Sequence, residues 1–210
     1  MSSTATGFPD IEKEPMLLLD TTGSMNDETS QTDPTPRRDT LREAIGLLVE
    51  HLAAEDSQAG HEAGGGGLRT VTFADGRAID QGDLSPGNLA ERWGDIRWVG
   101  GTYIVPGWNT LIDVYQEEFG SRPPNQRPLL LALVITDGEA RDTDAFANAI
   151  AAASGGVYVA IALIGFGPEH DRALAAYQAI EQRNSHVRVL TFAGETNPRV
   201  LADALLRMIA

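Results

Sequence analysis

The residues best suited to chemistry lie in the segment D-T-T-G-S, residues 20–24, which directly follows an apolar run. Its oxygen-bearing side chains alternate at Asp20, Thr22 and Ser24, and Gly23 allows the tight turn that would bring them together. Carboxylate and hydroxyl oxygens are hard ligands, which suit Mg²⁺, Mn²⁺ or Ca²⁺ better than zinc or copper. The segment therefore predicts part of a divalent-cation site.

Two later segments could complete such a site. The motif V-I-T-D-G-E supplies Asp137 after another apolar run, and the motif G-G-T supplies Thr102 in a glycine-rich loop. Taken singly, these residues have ordinary explanations, because Asp-Gly is a common turn and small hydroxyl residues often cap helices. Taken together and in this order, they favour a metal site.

The elements that must position these residues are strands alternating with amphipathic helices. Strands are predicted at residues 16–20, 68–75, 129–136, 157–165 and 187–192. Asp75-Gly76 favours a hairpin into a short polar strand at residues 77–80. We therefore predict an α/β fold: a doubly wound, Rossmann-like and mostly parallel sheet of about six strands. It has one short antiparallel edge strand and helices on both faces.

This architecture predicts where the carboxylates meet. Ligands of doubly wound sheets bind outside the carboxyl ends of the strands. Asp20 and Asp137 each follow a central strand, so we expect them to face one crevice. The domain is expected to span residues 15–210, preceded by a flexible tail at residues 1–14.

Composition narrows the functional classes. The chain has 210 residues, a formal net charge of -14 and no cysteine. A nucleic-acid-binding protein would show a clustered basic face, and none is visible. Without cysteine, disulfides and thiolate metal sites are excluded. No apolar run approaches the ~20 residues of a membrane span and no signal sequence is evident, so we expect a cytoplasmic protein.

The ordered set of oxygen ligands resembles the metal-ion-dependent adhesion site of von Willebrand factor type A domains, abbreviated VWA and MIDAS. That motif is written Asp-x-Ser-x-Ser, then a distant Thr, then a distant Asp. Here it matches Asp20, Thr22, Ser24, Thr102 and Asp137. Thr22 replaces a serine but keeps the hydroxyl. The resemblance covers the chain from about residue 15, and it is strongest to intracellular members.

The resemblance implies a binding mechanism rather than catalysis. In such domains the hydroxyls matching Thr22, Ser24 and Thr102 bind the metal, and the carboxylates matching Asp20 and Asp137 act through water. One coordination position stays open for a Glu or Asp of a partner protein. The chain is thus expected to be a non-enzymatic protein-binding module that uses Mg²⁺, or else Mn²⁺ or Ca²⁺. The partner and the oligomeric state are left open.

The alternative is an aspartyl-nucleophile phosphotransferase, because D-T-T-G-S also resembles motifs of P-type ATPases and haloacid-dehalogenase phosphatases. Thr21 stands where the first motif has lysine, and Thr22 stands where the second has its general-acid aspartate. No convincing downstream lysine accompanies a paired-acid strand.

Other polar residues near the expected site are given smaller roles. Glu139 is the best candidate for tuning the site, and Asp142 is expected to be solvated or to cap the helix that follows it. The four histidines have no ligand spacing and receive no role.

Overall fold

A six-stranded sheet with the order β3-β2-β1-β4-β5-β6 forms the centre of the computed structural model, which describes residues 12–58, 67–153 and 155–210. The strands are β1 Lys13–Asp20, β2 Leu68–Ala74, β3 Arg77–Leu84, β4 Leu129–Thr136, β5 Val157–Gly165 and β6 Val187–Ala193. Only β3 is antiparallel to its neighbour, and it lies at the edge. The predicted fold class is confirmed.

Six α-helices in the described residues cover both faces of the sheet. They are α1 Arg37–Gln58, α2 Leu89–Asp95, α3 Val105–Phe119, α4 Thr143–Ala152, α5 Gly167–Arg183 and α6 Pro198–Ile209. Along β1, Leu17 and Leu19 pack in the core cluster formed with α1, α2 and α6. Met16 and Leu18 pack in the opposite cluster, with α3, α4 and α5. Because both faces are covered, the central strands are continuously apolar rather than alternating.

Several boundaries differ from the sequence prediction. β1 begins at Lys13, where the Nζ atom donates hydrogen bonds to the carbonyls of Ile209 and Ala210 at 3.0 and 3.1 Å. This tertiary contact supports polar residues that hydrophobicity alone would leave outside the strand. β3 continues to Leu84, beyond the end predicted at residue 80, and α1 spans Arg37–Gln58.

Parts of the sequence prediction concern residues outside the described ranges. Residues 1–11 of the predicted tail are among them. No helix of the described residues is long and apolar enough to cross a membrane.

Helix α3 approaches the sheet closely at Gly107. A Cβ atom added there would lie 2.8 Å from Leu18 Cδ1 and 2.8 Å from Phe73 Cβ. Both neighbours are buried at the centre of the sheet, so neither can move aside without disturbing the core. Glycine at this position therefore sets the distance between α3 and the strands that carry the candidate site.

We predict that Gly107→Ala lowers the free energy of unfolding by roughly 1–3 kcal/mol, because overpacking outweighs the better helix propensity of alanine. Urea unfolding would measure the loss. Gly94→Ala is the matched control, because nothing lies within 4 Å of the added Cβ there. If Gly107→Ala is as stable as Gly94→Ala and the wild type, or more stable, this account of the packing is contradicted.

Candidate metal centre

Asp20 is fully buried at the carboxyl end of β1, beside the end of β4. Its Oδ1 atom accepts a hydrogen bond from the backbone N–H of Thr22 at 2.9 Å. Its Oδ2 atom accepts a hydrogen bond at 2.7 Å from the hydroxyl of Thr136, which is the last residue of β4. Both carboxylate oxygens are therefore held by donors of the protein, and the side chain has a single orientation.

The alternating hydroxyls form a chain that leads to the second carboxylate. The Ser24 hydroxyl donates to Asp137 Oδ1 at 2.9 Å, and the Thr22 and Ser24 hydroxyl oxygens are 3.2 Å apart. Because the Ser24 proton is used on Asp137, Thr22 is the donor in that pair and keeps lone pairs free. The intervening Thr21 points away, and its hydroxyl donates to the Phe73 carbonyl. Four of the five predicted site residues are thus joined in one network.

The loop that carries Thr102 is tied to the ends of β1 and β2. Three backbone hydrogen bonds hold it: Val99 to Thr21 at 3.0 Å, Gly23 to Gly100 at 3.2 Å and Asp75 to Gly101 at 2.8 Å. Gly100 has a φ of +90°, and a Cβ there would lie 2.6 Å from Asp75 Cβ. Only glycine fits this close approach. Thr102 lines the same cleft as Ser24 and Asp137, and its hydroxyl has no hydrogen-bond partner within the described ranges.

Asp142 links this loop to the β4 end. Its carboxylate accepts hydrogen bonds from the backbone N–H groups of Ile104 and Val105 at 2.9 and 3.0 Å. The neighbouring Arg141 N–H donates to the Thr102 carbonyl at 3.0 Å. Asp142 occupies the expected N-cap position of α4, but its side chain makes no capping hydrogen bond there and instead satisfies free N–H groups at the start of α3.

Arg37 is a site residue that the sequence analysis missed. Its Nη1 atom lies 2.7 Å from Asp137 Oδ2, and its side chain is 12% exposed. Asp137 is buried too, so this is an ion pair largely removed from water. Each carboxylate oxygen of Asp20 and Asp137 therefore has a protein donor.

A cleft of about 340 Å³ opens beside this network. Its lining includes exposed Glu139, as well as Glu169, His170 and Arg172 from the first turns of α5. His170 is only 2% exposed, and its Nδ1 atom has no hydrogen-bond partner among the described residues. His170 therefore lies beside the candidate site, although the spacing of the histidines in the sequence predicted no role for it.

Burial of the two carboxylates changes their acidity. Desolvation, followed by the nearby charge of Asp137, raises the pKa of Asp20 from 3.8 to about 7. Desolvation also raises the pKa of Asp137, although its ion pair with Arg37 opposes that rise. The site thus holds more negative charge than its protein donors compensate, which is the electrostatic condition that a bound cation relieves.

The donor set fits a hard divalent cation. It offers hydroxyl oxygens from Thr22, Ser24 and Thr102 and two carboxylates at one edge of the sheet. No group of three or more His, Cys, Asp or Glu residues that could hold a metal occurs in the part of the chain that the structure describes. Any metal at this edge must therefore rely on hydroxyls as well as carboxylates.

Solved structures of similar shape show which known fold the chain adopts. The minor pilin PilB of Streptococcus sanguinis superposes with a TM-score of 0.65 at 13% identity, over 95% of this chain and 62% of the pilin. The VWA domain of SpRpn10 superposes with a TM-score of 0.61 at 13% identity, over 93% of this chain and 94% of that domain. The chain spans less than two thirds of the pilin's length.

A third similar structure is proximal thread matrix protein 1 of the mussel byssus, with a zinc-occupied MIDAS motif. It superposes with a TM-score of 0.58 at 15% identity, over 92% of this chain and 45% of that one. The sequence matches no family model and, at a significant level, no curated protein. These likenesses establish the fold: the chain adopts the fold of von Willebrand factor type A domains.

The sequence analysis predicted the five candidate oxygen ligands but missed several residues that contact them or their loops. Thr136 directly precedes Asp137, so its position at the strand end was a usable signal. The sequence around Arg37 and Asp142 gave no such signal, because each of them contacts a residue from a distant part of the chain. The roles of the five predicted residues in metal binding stay predictions.

In chelator, the Asp20 carboxyl is predicted to make the protein less stable as pH rises. Its folded pKa of about 7 lies above its ordinary 3.8, so the folded state holds a proton that the unfolded state releases between those values. The stabilisation that this proton provides is complete below about pH 4 and is lost as the pH rises through about 7. Urea unfolding at about pH 5 and about pH 8 would measure the loss.

The control for this pH dependence is Asp20→Asn, which keeps similar size and hydrogen-bonding groups but cannot ionise. In chelator it should lose less stability over the same interval than the wild type does. An equal loss in both proteins would show that Asp20 does not cause it.

Proposed function

We propose that the chain is a binding module that holds a divalent cation at this edge of the sheet and uses it to bind a carboxylate of a partner protein. Mg²⁺ is the expected ion, with Mn²⁺ or Ca²⁺ as alternatives. The observation that carries the proposal is the hydrogen-bonded network of Asp20, Thr22, Ser24 and Asp137, with Thr102 lining the same cleft. A bound cation would supply an electrophilic point with a coordination position open to the partner.

The way in which the carboxylates are held supports this mechanism. Asp20 and Asp137 already accept hydrogen bonds on all four oxygens, which restrains them from turning toward a ligand position. Neutral hydroxyls of Thr22, Ser24 and Thr102 are then left as the direct donors. Such donors neutralise little of a cation's charge, so an incoming carboxylate would still be attracted.

The charge of the cleft is compatible with an acidic partner segment. The chain carries a formal net charge of -14, yet the charged residues that line the cleft include two arginines, Arg37 and Arg172, beside the acidic Asp137, Glu139 and Glu169. The overall negative charge is therefore not concentrated here. Charges elsewhere on the surface are screened beyond ~10 Å at ordinary salt.

Phosphotransfer from Asp20 is disfavoured by its surroundings. Its carboxylate is fully buried, does not line the cleft and accepts hydrogen bonds on both oxygens. A nucleophilic carboxylate needs an unobstructed approach to the phosphorus atom. We propose that the chain is not an enzyme, and its cytoplasmic location stays a prediction of the sequence.

Mg²⁺ or Mn²⁺ is predicted to raise the melting temperature. A ligand that binds only the folded state at a hundredfold excess over its Kd stabilises that state by about 2.7 kcal/mol. Thermal unfolding with a Mg²⁺ titration, against chelator, would measure this. The double variant Asp20→Ala, Asp137→Ala should lose most of the gain. A gain of the same size in that variant would refute metal binding at this site.

Partner binding is predicted to require both the cation and Thr102. A bound partner should be released by chelator, and Thr102→Ala should weaken its binding at least about tenfold, equivalent to ~1.4 kcal/mol. The partner would first be identified as a protein that the purified domain retains in Mg²⁺ and releases in chelator. Its binding would then be measured by calorimetry. Thr110→Ala is the control, because Thr110 on α3 does not line the cleft. A partner that binds equally well in chelator would overturn the proposed function.

A further inference from the structure

Arg37 is held more firmly than an ordinary surface arginine. Besides its contact with Asp137, its Nη1 donates to the Ser24 carbonyl at 3.2 Å, and its Nε donates to the Glu28 carbonyl at 3.1 Å. As the first residue of α1, it also donates its backbone N–H to the Asp27 carbonyl. Three contacts of the guanidinium and one of the backbone therefore hold Arg37 where it lines the cleft.

Gly165 at the end of β5 leaves room for this guanidinium. It has a φ of +109°, and a Cβ there would lie 3.3 Å from Arg37 Cζ and Nε. The next residue along α1, Arg38, shows the contrast. Its side chain is 37% exposed, and its Nε atom lies 3.7 Å from Asp39 Oδ1 in a loose surface pair.

The ion pair has a specific electrostatic role. Among the described residues, Arg37 is the only cationic side chain within ion-pair distance of Asp137, and none is within that distance of Asp20. A buried carboxylate without a partner is strongly destabilising. When both carboxyls are ionised, two carboxylates and one arginine leave one net negative charge at the strand ends.

We propose that Arg37 is a built-in counter-cation of the metal site, a positioning residue with two effects. It stabilises the folded protein when no metal is bound, and it weakens divalent-cation binding by repulsion. The second effect rests on the proposed function, because it requires that the site take a cation. Together they would let the domain stay folded while it gains and loses its metal.

The effect of removing the charge follows from this arrangement. Arg37→Gln keeps a polar side chain but leaves Asp137 without its counter-charge. In chelator, its melting temperature should fall on the order of 10 °C below the wild type. Its affinity for Mg²⁺ should rise about tenfold or more, because a like charge close to the ion is gone.

The experiment compares wild type, Arg37→Gln and Arg38→Gln. Thermal unfolding in chelator measures the first effect, and calorimetric titration with Mg²⁺ measures the second. Arg38→Gln removes the same charge one residue away and should match the wild type in both measurements. The gap in melting temperature between Arg37→Gln and wild type should narrow at saturating Mg²⁺, since the ion would replace the lost charge.

Two results would overturn the proposal. If Arg37→Gln is as stable as wild type in chelator, Arg37 is not a counter-cation. If it is less stable but binds Mg²⁺ no more tightly, Arg37 is only a structural brace. Either result, with Mg²⁺ binding in the wild type, would leave the proposed function standing. Mg²⁺ binding by Arg37→Gln but not by the wild type would refute the proposed function while supporting the repulsion by Arg37. Binding by neither protein would refute both proposals.

A second variant covers the case in which Arg37→Gln does not fold. The pair Arg37→Gln, Asp137→Asn removes both partners of the ion pair and leaves Asp20 as it is in the wild type, so it should fold in chelator and be more stable than Arg37→Gln alone. Failure of the double variant to fold would show that Arg37 acts through packing, which would refute the counter-cation role.

Discussion

Two carboxylates buried at neighbouring strand ends form the constraint around which the site is built. β1 and β4 pair in parallel, so the residues that follow their last paired positions lie together at one edge. Asp20 and Asp137 are therefore removed from water and close to each other, and both pKa values rise. This concentration of negative charge is stabilised by hydrogen bonds from the surrounding hydroxyls, the Thr22 N–H group and the Arg37 guanidinium.

The donors come from loops that would separate if they were not tied together. Backbone hydrogen bonds join the loop before α3 to the ends of β1 and β2, and Asp142 joins it to the β4 end. Asp142 is thus used as a tie rather than as a ligand. Gly100 permits the closest of these approaches. The precision of the candidate site therefore depends on main-chain contacts more than on the hydroxyl residues themselves.

The contrast between what was predicted and what was missed follows from the range of the interactions. Continuous apolar runs identify β1, β4 and β5 because burial on both faces leaves a local pattern. The alternation of Asp20, Thr22 and Ser24 is also local. Arg37 contacts Asp137 from 100 residues away, and His170 enters the cleft only because α5 begins there. No spacing rule encodes such contacts, since they depend on how distant elements meet.

The central position of β1 has a consequence for synthesis of the chain. Its apolar residues must lie between β2 and β4, but Asp20 and its hydrogen-bond donor Thr136 are 116 residues apart. At about 5–20 residues per second, the end of β4 leaves the ribosome roughly 6–23 s after the end of β1. During that interval the nascent strand has an open edge and uncovered leucines, which other chains or chaperones can bind. A truncated product that ends before β4 would lack the central pairing, and the two segments that carry the candidate hydroxyl ligands would have no second carboxylate to meet.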